Sequence, residues 1–126
     1  WLAGRALGDK ECQQVALQAM GAVTRRGLEE LPGSGLCHGL AGLLITTRLF
    51  EHETGDPRWR ADRLHLVGSL IERYEPETRL GYVDIERNGA EVDNPGLLSG
   101  TAGVVLAVLA ATSSQIPTWV RLLSLA

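Results

Sequence analysis

Gly35-Leu36-Cys37-His38-Gly39-Leu40-Ala41-Gly42-Leu43 and Gly96-Leu97-Leu98-Ser99-Gly100-Thr101-Ala102-Gly103-Val104 are two versions of one stretch. Gly, Leu, Gly, Ala and Gly recur at the same spacing in both. Each copy opens an apolar segment. Each is followed by a Pro-x-Trp, at Pro57-Arg58-Trp59 and at Pro117-Thr118-Trp119. A partial third copy stands at the start: Leu2 to Asp9 ends in Gly8-Asp9, as Leu49 to Asp56 ends in Gly55-Asp56. Repeats of this size built from helix pairs predict a solenoid or a closed ring of helices. The segment after each glycine turn is the more apolar and belongs inside. The segment that follows carries Arg58, Arg60, Asp62, Arg63, Glu72 and Arg73 and belongs outside. The fold class is all-α, with inner and outer helices.

Working outward, Asp9 is the expected N-cap of a helix whose apolar residues Val15, Ala16, Ala19, Met20, Ala22 and Val23 recur at helical spacing. Pro32-Gly33 should end it near Leu31. A second helix is expected from near His38 to Glu53, ended by Thr54-Gly55. A third should run from Pro57, suited to a first turn, to Tyr74. Residues 76–95 read as irregular or hairpin-like, with Asn88-Gly89 as the turn and Tyr82 to Ile85 as the best strand candidate. A fourth helix is expected from Ser99 to Ala111, and a short last one from Pro117 to Leu125. Gly39 with Gly42, and Gly100 with Gly103, offer close backbone approach on the first turn of a buried helix. Gly35 and Gly96 permit a positive φ before it.

The 126 residues suit one compact domain or part of a larger one, and 44% hydrophobic residues supply a core. A net charge of -3 offers no electrostatic reason for a nucleic-acid or anionic-membrane partner. No residue from Asn94 to Val120 is charged, but the densest apolar run, Val104 to Ala111, falls far short of the ~20 residues of a span. Two cysteines, Cys12 and Cys37, make no disulfide framework, so a reducing cytoplasm is expected. The only methionine is Met20, and Trp1 opens directly into a helical pattern. No signal-peptide pattern precedes it, and the expectation is a portion of a longer chain.

The repeat supplies its own control for the site. Where the second copy has Leu98-Ser99, the first has Cys37-His38, so the shared turn requires neither cysteine nor histidine. Thiolate and neutral imidazole are good zinc ligands, and adjacent residues at a tight turn can both reach one ion. Two ligands do not complete a site, because zinc takes three protein ligands in an open centre and four in a closed one. Cys12 is a weak third, lying among Glu11, Gln13 and Gln14 on an ordinary helix. On spacing alone, a buried structural cysteine beside a hydrogen-bonded histidine is an equal reading.

Other signals are weaker. Gly33-x-Gly35 with Gly39 lacks the preceding buried strand of a dinucleotide-binding turn. His52 and His65 fall on charged helical faces. Asp84, Glu86, Glu91 and Asp93 read as a solvated acidic loop that in a ring would border the mouth. Arg25-Arg26 suits a helix C-terminus. No convincing carboxylate pair supports glycoside hydrolysis.

Ser34 to Gly42 resembles the Cys-His-Gly signature of the lanthionine synthetase C-like (LanC-like) cyclases, and Pro95 to Gly103 resembles the glycine-rich motif that follows it. Thr54-Gly55-Asp56 and Pro117-Thr118-Trp119 also fit. The resemblance covers most of the chain in the family's order. It implies an α/α toroid, a double ring of helices, with zinc at its mouth. Cys37 and His38 are then metal ligands, joined by one further upstream cysteine. The fourth position falls to a cysteine thiolate of a precursor peptide, which adds to a dehydroalanine or dehydrobutyrine and closes a thioether ring. The implied partners are the dehydrated precursor peptide and a dehydratase domain or protein. The family's Trp-Cys-x-Gly motif and the histidine of its acid/base site have no counterpart between Trp1 and Ala126. Residues 1–126 are therefore expected to be the C-terminal portion of a cyclase domain, inactive alone. The alternative is a non-catalytic or decayed helical-ring relative that binds a thiol or peptide.

Overall fold

The structure, a computed structural model, describes residues 1–25, 31, 33–85 and 89–123, with backbone alone at 121 and 122. Helix α1 (Leu2–Leu7) stops at Gly8, whose φ of 68° is left-handed. Asp9 then caps α2 (Lys10–Arg25), its Oδ1 accepting from the Cys12 N–H at 3.0 Å. The same device recurs after α3 (Leu40–Thr54). Gly55 ends that helix at φ 67°, and Asp56 caps α4 (Pro57–Glu72) by accepting from the Arg58 N–H at 3.0 Å. In each place glycine takes the left-handed conformation and aspartate satisfies a free helix N–H. The partial repeat is thus a structural one. The expected continuation of α2 falls on residues 26–30, outside the described residues, and Leu31 lies outside any helix.

A small antiparallel hairpin follows, β1 (Val83–Ile85) with β2 (Glu91–Asp93), Val83 opposite Asp93. Gly89 has the positive φ, 82°, that an Asn-Gly turn needs; Asn88 itself is outside the described residues. Asp84, Glu91 and Asp93 therefore sit on paired strands, not in a loop, and Glu86 is outside the described residues. Helix α5 (Thr101–Thr112) is apolar all round. The last element, Thr118–Leu123, is a 3-10 helix instead of the expected α-helix. Its Val120 N–H reaches Pro117 at 3.2 Å, the tight turn typical of such short pieces.

Helices α3 and α5 lie side by side, and α4 packs on both. Leu40, Leu44, Ile45, Val104, Ala107 and Ala110 form the core between them, with Leu66 and Leu70 from α4 and Val120 from the final turn. Alanines on α5 let the α3 backbone come close. Helix α3 buries Leu40, Ala41, Leu44, Ile45, Thr47, Arg48 and Phe50, whereas α4 buries only Trp59, Leu66 and Leu70. The helix after the glycine turn is thus the more buried of the two, as the repeat predicts. A second cluster joins Met20, Phe50 and Trp59 to Trp1, with Phe50 5.8 Å from Trp1 and 5.4 Å from Trp59 between ring centroids. No helix among the described residues is long and apolar enough to cross a membrane.

At one end of α5 two arginines meet free carbonyls. Arg63 donates to the Ala111 carbonyl at 2.7 Å, and Arg48 to those of Ser113 and Ser114 at 3.2 Å each. Glu51 sits between them, accepting from Arg63 Nε at 2.7 Å. Positive charge at a helix C-terminus satisfies carbonyls that have no intrahelical partner. The opposite ends of α3 and α5, where both helices start, carry the two glycine turns.

Candidate metal centre

The two turns fold alike. In the first, the Leu40 N–H donates to the Gly33 carbonyl at 3.1 Å; in the second, the Thr101 N–H donates to the Asn94 carbonyl at 2.9 Å. Both helices start later than expected, at Leu40 and Thr101, because Gly39 and Gly100 stand before them as extended N-caps. Cys37 and His38 therefore lie in the turn, ahead of the helix. The shared glycines make room for this turn to fold back on its own helix. A Cβ on Gly39 would strike Gly33, one on Gly42 the Leu36 carbonyl, one on Gly100 Asn94, and one on Gly103 the Leu97 carbonyl.

The expected positive φ at Gly35 and Gly96 is not found. Among the described residues the positive-φ glycines are Gly8, Gly55, Gly81 and Gly89. Gly35 is required for a different reason: a Cβ there would come within 2.7 Å of the Ser99 carbonyl oxygen and 2.9 Å of its Cα. The two turns thus press together, backbone on backbone. The Cys37 N–H donates to the Leu98 carbonyl at 2.7 Å, so residues at corresponding positions of the two copies hold each other.

This docking leaves the Cys37 and His38 side chains exposed. The buried structural cysteine that spacing alone allowed is therefore not what the fold builds. Cys37 Sγ lies 3.7 Å from His38 Nε2. Zinc bonds of about 2.3 Å to sulfur and 2.0–2.1 Å to nitrogen, at a tetrahedral angle, place two such donors ~3.6 Å apart. The observed 3.7 Å matches that separation, and it is equally the separation of a hydrogen-bonding contact between the thiol and the imidazole. Among the described residues no group of three or more His, Cys, Asp or Glu is arranged to hold a metal. Cys12 is not drawn to the pair. It lies exposed on α2 beside Asp9, whose hydrogen bond and negative charge raise its thiol pKa.

The remaining candidates have other employment. His52 Nδ1 is 3.4 Å from Glu53 Oε1 on an exposed face. His65 lines a shallow cleft with Thr24, Asp62 and Leu66. Asp84 accepts from Asn94 Nδ2 at 2.8 Å, and Asn94 Oδ1 accepts from the Gly96 N–H at 2.8 Å, so this acidic residue braces the second turn. Tyr82 donates to the Leu70 carbonyl at 3.0 Å, and burial pushes its phenol pKa up.

Two parts of the site were missed by sequence reasoning. The Leu98 carbonyl had a signal available, since matched turns at the starts of adjacent inner helices must meet. Arg73 had none. Its guanidinium reaches the Gly33 carbonyl at 3.1 Å and the Leu31 carbonyl at 3.0 Å, just ahead of the first turn.

A comparison with curated proteins gives no match. The family model described as lanthionine synthetase C-like protein matches residues 1–124, which takes in both glycine turns and the helices between them. The chain belongs to the lanthionine synthetase C-like family.

Proposed function

We propose that Cys37 and His38 are two zinc ligands of a cyclase that closes thioether rings in lanthipeptide biosynthesis. The observation that carries this reading is the exposed Sγ–Nε2 pair, 3.7 Å apart at the separation tetrahedral zinc requires. Family membership supports the same reading. When bound, zinc lowers the pKa of a coordinated thiol, so that a precursor-peptide cysteine is a nucleophile near neutral pH. The chain's own residues do the positioning. The Leu98 carbonyl fixes the Cys37 backbone, and the Gly35–Ser99 contact fixes the height of the turn. The peptide thiolate adds to the β-carbon of a dehydroalanine or dehydrobutyrine, a C–S bond forms, and the displaced π pair is protonated at the α-carbon. The third protein ligand and the proton donor come from outside Trp1–Ala126, in a whole domain that closes as a ring. The substrate is a dehydrated precursor peptide.

The test is ring closure by the full chain on a dehydrated, cysteine-containing peptide. Cyclisation leaves mass unchanged, so it is read as loss of alkylatable thiol. C37A and H38A should each slow closure by at least ~100-fold if both hold the metal that generates the nucleophile. Closure at the wild-type rate in both variants would remove these residues from the reaction. Zinc and thiol binding without closure in the wild type would favour the non-catalytic reading.

A further inference from the structure

We propose that Arg73 is a positioning residue for the Cys37–His38 turn, acting on metal affinity through the backbone; this rests on the zinc reading above. Arg73 stands at the C-terminal cap of α4, its N–H bonded to Ser69 at 3.2 Å. From there Nη1 donates to the Gly33 carbonyl at 3.1 Å and Nη2 to the Leu31 carbonyl at 3.0 Å. The same Gly33 carbonyl accepts from the Leu40 N–H at 3.1 Å. Gly33 also bridges to Gly39. Gly33 is therefore the point where the turn closes, and Arg73 grips it from outside.

The second turn shows why the grip is needed. Its residue at the position of Gly33 is Asn94. The Asn94 side chain braces that turn from within, through Gly96 and Asp84. Gly33 has no side chain to do this. Arg73 supplies the missing brace to the one turn of the two that carries Cys37 and His38. Its planar fork can serve two carbonyls at once, which a lysine ammonium cannot match. Groups hydrogen-bonded directly to metal ligands commonly set affinity by about 10–100-fold, and Arg73 acts one step further back, through the backbone that carries Cys37 and His38.

The experiment measures Zn2+ affinity by chelator competition, and the absorption bands of the Co2+ form, in the full chain. Variants are R73K, R73M, C37A and R63K, compared at a temperature where far-UV circular dichroism overlays the wild type. R73K and R73M are expected to bind zinc more weakly, by up to ~10-fold, the low end of the range for groups bonded directly to ligands, with altered cobalt bands. R63K, which loosens the C-terminal end of α5, should lower Tm yet leave affinity and bands as in the wild type. If R73M fails to fold, R73K decides. Wild-type affinity and bands in folded R73K, with metal lost in C37A, would overturn the proposal and leave the zinc reading intact. Metal retained in C37A would overturn both.

Discussion

The Cys37 N–H donates to the Leu98 carbonyl at 2.7 Å, and these two residues occupy the same position in two copies of one repeat. The repeat therefore does more than build two similar helix starts. It places a plain copy of the turn beside the one that carries Cys37 and His38 and uses the plain copy as a platform. Leu98 needs only its backbone for this task, so its side chain is unconstrained by it. Cys37 and His38 are left facing outward.

That platform depends on Gly35. Replacing it by alanine puts a Cβ within 2.7–3.0 Å of Ser99 backbone atoms, which cannot move aside as a flexible side chain can. G35A should destabilise the fold by about 1–3 kcal/mol, the usual cost of overpacking. Gly68 on α4 is the control, because a Cβ there meets nothing within 4 Å. G68A should stabilise by about 0.5–1 kcal/mol through helix propensity. Urea denaturation reads both. Equal shifts in the two variants would refute the close approach of the turns.

The far end of the α3–α5 pair makes a different prediction. Glu51 lies between Arg48 and Arg63 with side-chain exposures of 19%, 11% and 16%. E51A leaves two poorly solvated guanidiniums facing each other without their shared carboxylate. The expected loss is roughly 2–3 kcal/mol, below the 3–5 of a fully buried pair because water still reaches the group. An unchanged urea midpoint would show that carbonyls at the end of α5 suffice for both arginines.

Asp9 and Cys12 give a pH signature. The Cys12 backbone N–H, and then its thiol, hydrogen-bond Asp9 and hold its carboxyl below the ordinary value of 3.8. Its stabilising contribution is present above that value and is lost as pH falls through the depressed one. In return, the Asp9 hydrogen bond and charge lift the Cys12 thiol above its ordinary 9.0. D9N keeps an N-capping side chain but removes the charge. Cys12 alkylation, followed by peptide mass, should then rise at lower pH than in the wild type. Coincident profiles would contradict this coupling.

Much of the fold was legible because its information is local. Gly8-Asp9 and Gly55-Asp56 announce a helix stop and a helix cap in adjacent letters. The apolar runs after Gly39 and Gly100 announce buried helices. Cys37 and His38 stood out because the second copy lacks them. The rest depends on contacts between distant segments that leave no local pattern. Arg63 and Arg48 read as ordinary helix charges, yet they satisfy carbonyls at the end of α5. Arg73 read as one more charge on an outer helix, yet it grips the entry to the first turn. Gly35 was assigned the wrong glycine property: the fold uses its lack of a Cβ, not its freedom in φ.

The most direct test of the central claim is the zinc content of the full chain, measured for wild type, C37A and H38A with X-ray absorption at the zinc edge. The account predicts one zinc per wild-type chain, with sulfur near 2.3 Å and nitrogen at about 2.0–2.1 Å, and its loss in both variants. Full zinc occupancy with an unchanged absorption spectrum in C37A and H38A would contradict it.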